Sequence, residues 1–112
     1  KDIARCYRLL LRELKIRMPI PMAQLRVPKI AAKVNVGELT QQDAVKILRE
    51  AERLKTTAGK DPMGLAAAAL YIACVRNDEK RTQKMIADAA GVTEVTIRNR
   101  YKGLKESLNL II

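Results

Sequence analysis

The plainest chemistry in this sequence sits near its C-terminus. Val95, Arg98, Asn99 and Lys102 recur at three- and four-residue spacing, so on a helix they share one face. Arg can pair with guanine and Asn with adenine through two parallel hydrogen bonds, and Val can touch a thymine methyl. Around that face lie residues suited to phosphate: Lys80, Arg81, Thr82, Lys84, Thr93, Arg100 and Lys105. The chemistry implied is recognition of a nucleic-acid duplex, with base contacts on one face and charge attraction around it. An ordinary solvated helix face uses the same residue types, so this motif needs support from its surroundings.

Other chemistries find less material. The chain has no His, and so lacks the usual general base and the commonest nitrogen ligand for metals. Asp43, Glu50, Glu52, Asp61 and Asp88 read as helix caps and surface charges rather than paired catalytic carboxylates. Cys6 and Cys74 both fall inside apolar helical patterns, which predicts a buried, reduced pair of thiols. A two-Cys zinc site would need two further ligands, and none presents itself. Three aromatics, Tyr7, Tyr71 and Tyr101, are too few for a base-stacking platform on single strands. No enzyme and no cofactor are expected in this chain.

Charge points the same way. The 112 residues carry a net charge of +10, which favours a polyanionic partner. Residues 1–40 contribute nine Lys/Arg against three Asp/Glu, residues 41–79 six against six, and residues 80–112 seven against three. The basic excess therefore sits at the two ends. No apolar stretch is long enough to span a bilayer, and residues 1–14 mix charge through their apolar positions, unlike a signal peptide. The first residue is Lys rather than Met, so the chain is expected to be cut from something longer.

The elements that must position the motif are helices. Ile3, Tyr7, Leu10, Leu11 and Leu14 form one stripe, predicting a helix over 2–14. Pro19 and Pro21 follow, and residues 15–26 read as a linker. A second helix is predicted from about Val27 and Pro28 to before Gly37, with Ile30, Ala31 and Val34 inward. Thr40 is the expected N-cap of a third, with Asp43 in its first turn and Ala44, Ile47, Leu48, Ala51 and Leu54 as its apolar stripe. Asp61 and Pro62 open a fourth, to about Arg76. Residues 63–75 hold no charge on any face, as expected of a buried central helix. Thr82 caps a short fifth helix to about Ala90, Gly91 breaks it, and Thr93 caps a last one to about Leu108.

Those last two have helix-turn-helix spacing over about 82–108. Ala87 is small enough for a close crossing, Gly91 lies in the turn, and Ile97, Tyr101, Leu104 and Leu108 pack inward. The first and last helices also echo each other at a spacing of 94 residues: Ile3 with Ile97, Tyr7 with Tyr101, Arg8 with Lys102, Leu10 with Leu104, Leu14 with Leu108. A repeat of roughly 90 residues follows from this echo. Residues 1–14 would then be the last helix of a preceding repeat, and 27–112 one complete five-helix repeat.

Lys80-Arg-Thr-Gln-Lys84 and Ala90-Gly-Val-Thr-Glu-Val-Thr-Ile-Arg-Asn-Arg-Tyr101 resemble the end of the second cyclin-type repeat of the archaeal transcription factor B family, related to eukaryotic transcription factor IIB. Asp61-Pro-Met-Gly-Leu-Ala-Ala-Ala-Ala-Leu-Tyr71 is similar to that family's central helix, and Asp2-Ile-Ala-Arg-Cys-Tyr-Arg-Leu9 to the last helix of its first repeat. The resemblance covers nearly the whole chain and is weakest over residues 18–53. It implies an all-α, five-helix cyclin-type repeat ending in the helix-turn-helix. It also implies a general initiation factor that binds promoter DNA upstream of the TATA box together with TATA-binding protein, and helps set the direction of transcription. Val95 and Arg98 match the family's base-contacting positions best. RNA polymerase is the further partner implied, through a zinc ribbon and linker expected in a missing N-terminal part. A monomer in the archaeal cytoplasm, associated with the nucleoid, is expected.

Two rival classes remain. A cyclin-type fold can serve as a protein-interaction module, such as a kinase partner without sequence-specific DNA binding; salt-dependent binding to duplex DNA discriminates it. Bacterial-type repressors dimerise on palindromes, and no dimerisation segment is evident here.

Overall fold

The computed structural model describes residues 22–55 and 60–109. They form five helices: α1 (Met22–Val34), α2 (Glu38–Arg53), α3 (Pro62–Arg76), α4 (Gln83–Ala90) and α5 (Glu94–Ser107). No strand occurs among the described residues, in keeping with the all-α class. The helix expected over 2–14, with its echo of α5, Cys6 and Tyr7, lies outside them.

The charge-free helix α3 is the one around which the others pack. It touches α1, α2, α4 and α5. Residues 64–70 and 72–74 are buried. Leu70 and Ile72 are fully enclosed, and each such side chain contributes ~1.5–3 kcal/mol. Asp61 caps this helix as expected, accepting from the Gly64 N–H at 2.9 Å, with Pro62 at the first position.

Helix α1 begins at Met22, ahead of the start expected near Val27 and Pro28, so residues 22–26 are helical rather than linker. Pro28 lies inside the helix, not in its first turn. Ala23 and Val27 extend the stripe of Ile30, Ala31 and Val34 by one helical period, and all five are buried. Burying them offsets the one backbone hydrogen bond that Pro28 cannot donate. Pro28 itself is exposed.

Helix α2 also starts earlier than expected. Gly37, not Thr40, is its N-cap, and no local side chain caps it. The Gly37 N–H instead donates to both carboxylate oxygens of Glu79 at 3.1 Å. Thr40, only 2% exposed, donates its hydroxyl to the same carboxylate. Asp43 is turned towards α3, where it meets Arg76 at 3.4 Å and the Asn77 side-chain amide at 3.1 Å. Ala44, Ile47, Leu48 and Ala51 are buried as expected. Leu54, expected among them, is the C-cap and 41% exposed.

Three helices end alike. Asn35, Asp78 and Gly91 adopt positive φ after α1, α3 and α4. In each case the next residue's N–H reaches back five residues: Val36 to Ala31, Glu79 to Cys74, Val92 to Ala87. These are Schellman closures. The one after α3 sets Glu79 where it can cap α2.

Candidate nucleic-acid interface

The helix-turn-helix is built from α4, the turn at residues 91–93, and α5. Thr82 caps α4 by accepting from the Met85 N–H at 3.0 Å. Thr93 caps α5 by accepting from the Thr96 N–H at 3.1 Å. Ala87 and Ile97 are buried, 2% and 0% exposed, and Gly91 takes the left-handed conformation at φ 74°. The three positions expected to set this geometry therefore do so.

Helix α5 is held to α3 by its inward face. Ile97 and Leu104 are buried, and Tyr101 and Leu108 pack against the core. The Tyr101 ring meets Tyr71 edge-on with centroids 5.4 Å apart, and Lys105 Nζ lies 6.0 Å from the Tyr101 centroid. A Cβ on Gly64 would stand 2.9 Å from Thr96 Cγ2 and 3.7 Å from Arg100 Cγ. The absence of a side chain at Gly64 thus lets the first turns of α5 lie directly on α3.

The opposite face of α5 is open. Val95 is 53% exposed, and Arg98, Asn99 and Lys102 are all exposed. None of the side chains of Arg98, Asn99 and Lys102 is hydrogen-bonded or ion-paired among the described residues. This is the face expected from spacing, and its hydrogen-bonding groups are unspent.

The surrounding residues divide. Lys80 is exposed. Lys84 meets Asp88 at 3.5 Å, both side chains 70% exposed; a surface pair of this kind is worth ~0.3–0.5 kcal/mol and releases easily. Thr82 and Thr93 each spend a hydroxyl lone pair on the helix that they begin. Arg100 is partly buried, its stem over Gly64. Arg81 is engaged elsewhere: its guanidinium donates to the Val34 carbonyl at 2.7 Å, the Asn35 carbonyl at 2.8 Å and the Lys80 carbonyl at 3.2 Å. It closes the C-terminus of α1, where a cation also suits the helix dipole.

Two features of this region were not visible in the sequence. One is the Glu79 and Arg81 pair, which ties the segment leading into α4 to the ends of α1 and α2. Thr40 donates to Glu79 and so holds its carboxyl below the ordinary value; burial opposes this, while the Gly37 N–H and Arg81 add to it. The other is a cavity beside α5 at which Lys55 and Lys60 join Arg100. Counted along the chain, those lysines belong to a neutral stretch, and only the fold brings them to Arg100.

Cys74 is buried and free. Burial pushes its thiol up to about 11, Glu79 adds to the rise and Arg81 opposes it, so it is a packing residue rather than a nucleophile. Among the described residues no group of three or more His, Cys, Asp or Glu could hold a metal ion. No described helix is long and apolar enough to cross a membrane.

A family model described as the transcription factor TFIIB repeat matches residues 16–107. The chain is 54% identical over 110 residues to the transcription initiation factor IIB of Pyrodictium occultum, covering 98% of this chain and 36% of that protein. It is 52% identical over 112 residues to that of Sulfurisphaera tokodaii, covering 100% and 36%, and 51% identical over 112 residues to that of Saccharolobus shibatae, covering 100% and 37%. The chain thus spans about a third of the length of these curated relatives.

Proposed function

The chain belongs to the transcription factor TFIIB repeat family, a family of transcription factors rather than enzymes, and from this we propose that it binds promoter DNA upstream of the TATA box. Helix α5 enters the major groove with Val95, Arg98, Asn99 and Lys102 towards the base edges. Arg98 pairs with a guanine through O6 and N7, Val95 makes an apolar contact beside it, and Asn99 and Lys102 are free to donate to neighbouring bases. Lys80, Lys84, Thr82, Thr93 and Arg100 hold phosphates and fix the register of the helix in the groove. Arg81 acts one step behind them, setting the entry to α4.

The observation that carries this reading is the face of α5 itself. A helix capped at Thr93 and packed on its other side presents four groups of base-reading type, with no partner for Arg98, Asn99 or Lys102 among the described residues. A solvated face would serve as well without such fixed support. The relatives are named transcription initiation factor IIB, and on the present reading this chain acts with TATA-binding protein, helping to orient transcription and assemble the preinitiation complex. RNA polymerase is engaged through the rest of the protein. On this reading the protein works as a monomer on DNA, associated with the nucleoid in the cytoplasm of an archaeal cell.

The test is a band shift on promoter DNA with and without TATA-binding protein, using a scrambled upstream element as control. Tighter binding with the partner, weakened by scrambling, is expected. Binding indifferent to the upstream sequence, or no binding to duplex at all, overturns the reading and favours a protein-interaction module.

A further inference from the structure

We propose that Glu79 is a positioning residue for DNA binding: by gripping the turn between α1 and α2 it fixes the link that presents Lys80 to the duplex. The proposal rests on the duplex-binding reading above and extends it to a residue that touches no DNA. Residues 77–82 join α3 to the helix-turn-helix, and Lys80 lies among them. A lysine on a loose link would lose affinity to the cost of ordering that link on binding.

This link is not loose. It leaves α3 through a Schellman closure, with Asp78 at φ 59° and the Glu79 N–H donating to the Cys74 carbonyl at 2.9 Å. It enters α4 through Thr82, the N-cap, in extended backbone conformation. Burial alternates along it: Glu79 and Arg81 are partly buried, while Lys80 and Thr82 are exposed. An extended chain lying with one side on the body of the protein gives that alternation. Lys80 points outward because its two neighbours point inward.

Both inward side chains hold the same corner of the chain. The Glu79 carboxylate accepts from the Gly37 N–H at 3.1 Å on each oxygen, and from the hydroxyl of the buried Thr40. Arg81 donates to the carbonyls of Val34 at 2.7 Å and Asn35 at 2.8 Å, so the two jaws close on residues 34–40. Arg81 also donates to the Lys80 carbonyl at 3.2 Å, which ties the backbone of Lys80 to the same corner. The Lys80 side chain has no partner among the described residues, so its charge is free. A cap that served α2 alone would need only Ser, Thr, Asp or Asn at its N-cap. Gly37 stands there instead, and the acceptor comes from the link. The start of α2 is thereby coupled to the entry of the helix-turn-helix.

Glu79 is the jaw to remove, because its loss takes away an acid and no cation. By charge alone, Glu79→Ala should tighten binding to a polyanion; positioning predicts that binding weakens. Duplex binding is measured over a range of salt, at a temperature where helical circular dichroism shows each variant folded. The variants are Lys80→Ala, Glu79→Ala, the Glu79→Ala/Lys80→Ala double variant, Glu79→Gln, Glu79→Asp and Arg98→Ala, beside the parent. Lys80→Ala should lower the slope of log affinity against log salt by about 0.9, or about 3.5-fold less loss of affinity between ~50 and ~200 mM salt. Glu79→Ala should lower it by most of that amount, and adding Lys80→Ala should lower it no further. Glu79→Gln loses the same charge, but its amide can accept from the Gly37 N–H and donate to the Thr40 hydroxyl, so it should restore most of the slope. Glu79→Asp keeps the charge and is one carbon shorter. It must release the turn or draw the link inward, and either should cost part of the Lys80 share, which keeps the test decisive if Glu79→Ala does not fold. If the folded Glu79→Ala and Glu79→Asp proteins keep the parent's slope and Lys80→Ala subtracts fully from Glu79→Ala, Glu79 is a helix cap alone and the proposal is refuted. Identical behaviour of Glu79→Ala and Glu79→Gln would refute it too, leaving only an effect of charge. If Lys80→Ala leaves the parent's slope unchanged while Arg98→Ala loses sequence preference, the proposal falls and duplex reading stands. If the parent binds no duplex, both fall.

Discussion

Replacing Arg81 with Ala is expected to cost stability before it costs DNA affinity. Its guanidinium spans the end of α1, donating to the Val34 carbonyl at 2.7 Å and the Asn35 carbonyl at 2.8 Å, across 47 and 46 residues of sequence. A hydrogen bond from a charged donor contributes ~1.5–3 kcal/mol where water is excluded. The bond to Asn35 is exposed and that to Val34 only partly buried, so both carbonyls regain some water when Arg81 is removed. About 2 kcal/mol is therefore the expected loss, or ~8–16 °C in Tm for a domain of this size. Arg81→Lys keeps the charge but loses the fork, and should recover less than half of that. The assay is thermal and urea unfolding followed by helical circular dichroism, beside a salt titration of duplex binding. The reasoning fails if Arg81→Ala unfolds within ~0.5 kcal/mol of the parent while the salt slope drops by about 0.9, the signature of one lost phosphate contact.

Three further outcomes follow from the same contacts. Glu79 has a folded pKa below its ordinary value of 4.5, chiefly because Thr40 donates to it; its stabilisation is complete above that value and is lost as pH falls through the lowered one. A Glu79→Gln variant should accordingly show a shallower loss of stability between ~pH 5 and ~pH 3, and an acid limb identical to the parent's would count against the cap. Gly64→Ala should cost ~1–2 kcal/mol, because the new Cβ meets Thr96 Cγ2 at 2.9 Å and Thr96 is tied through its hydroxyl to Thr93 at 3.0 Å. Adding Thr96→Ser, which deletes Cγ2 and keeps the hydroxyl, should restore most of it in a double-mutant cycle, and strict additivity would refute the close approach. Cys74, its thiol pushed up to about 11, should alkylate only as the chain unfolds, and rapid labelling of the native protein at Cys74 would contradict its burial.

What could be read from the sequence was whatever acts over three or four residues. Asp61, Thr82 and Thr93 each cap the helix that they begin, by bonds to the N–H three positions on, so residue type and spacing sufficed. The charge-free stretch of α3 announced its own burial. Gly91 was legible because its positive φ favours glycine. The differences at α1 and α2 have separate causes, one local and one remote. Pro28 looks like a helix start, but the buried stripe of Ala23 and Val27 carries the helix past it. Thr40 has the right type for a cap, yet the N-cap Gly37 is served by Glu79, 42 residues further along the chain, and no local rule can see that. Arg81 was assigned to phosphate from its charge and its neighbours, and its bonds to α1 are equally remote in sequence. The exposed face of α5 was anticipated because helical periodicity alone fixes which residues oppose Ile97 and Leu104. Lys55 and Lys60 were missed because summed charge along the chain hides what folding gathers in space.

The measurement that bears most directly on the central claim compares Arg98→Ala with the parent on native and scrambled upstream elements, at one salt concentration and with TATA-binding protein present. Arg98 is exposed while its neighbour Ile97 is buried, so its removal leaves the core intact. Direct readout predicts a loss of ~1–3 kcal/mol on the native element, about 5- to 150-fold in affinity, with discrimination relaxed at one base pair and a much smaller change on the scrambled one. Equal, slight losses on the two DNAs would mean that Arg98 contributes only charge, and that α5 does not read sequence through it.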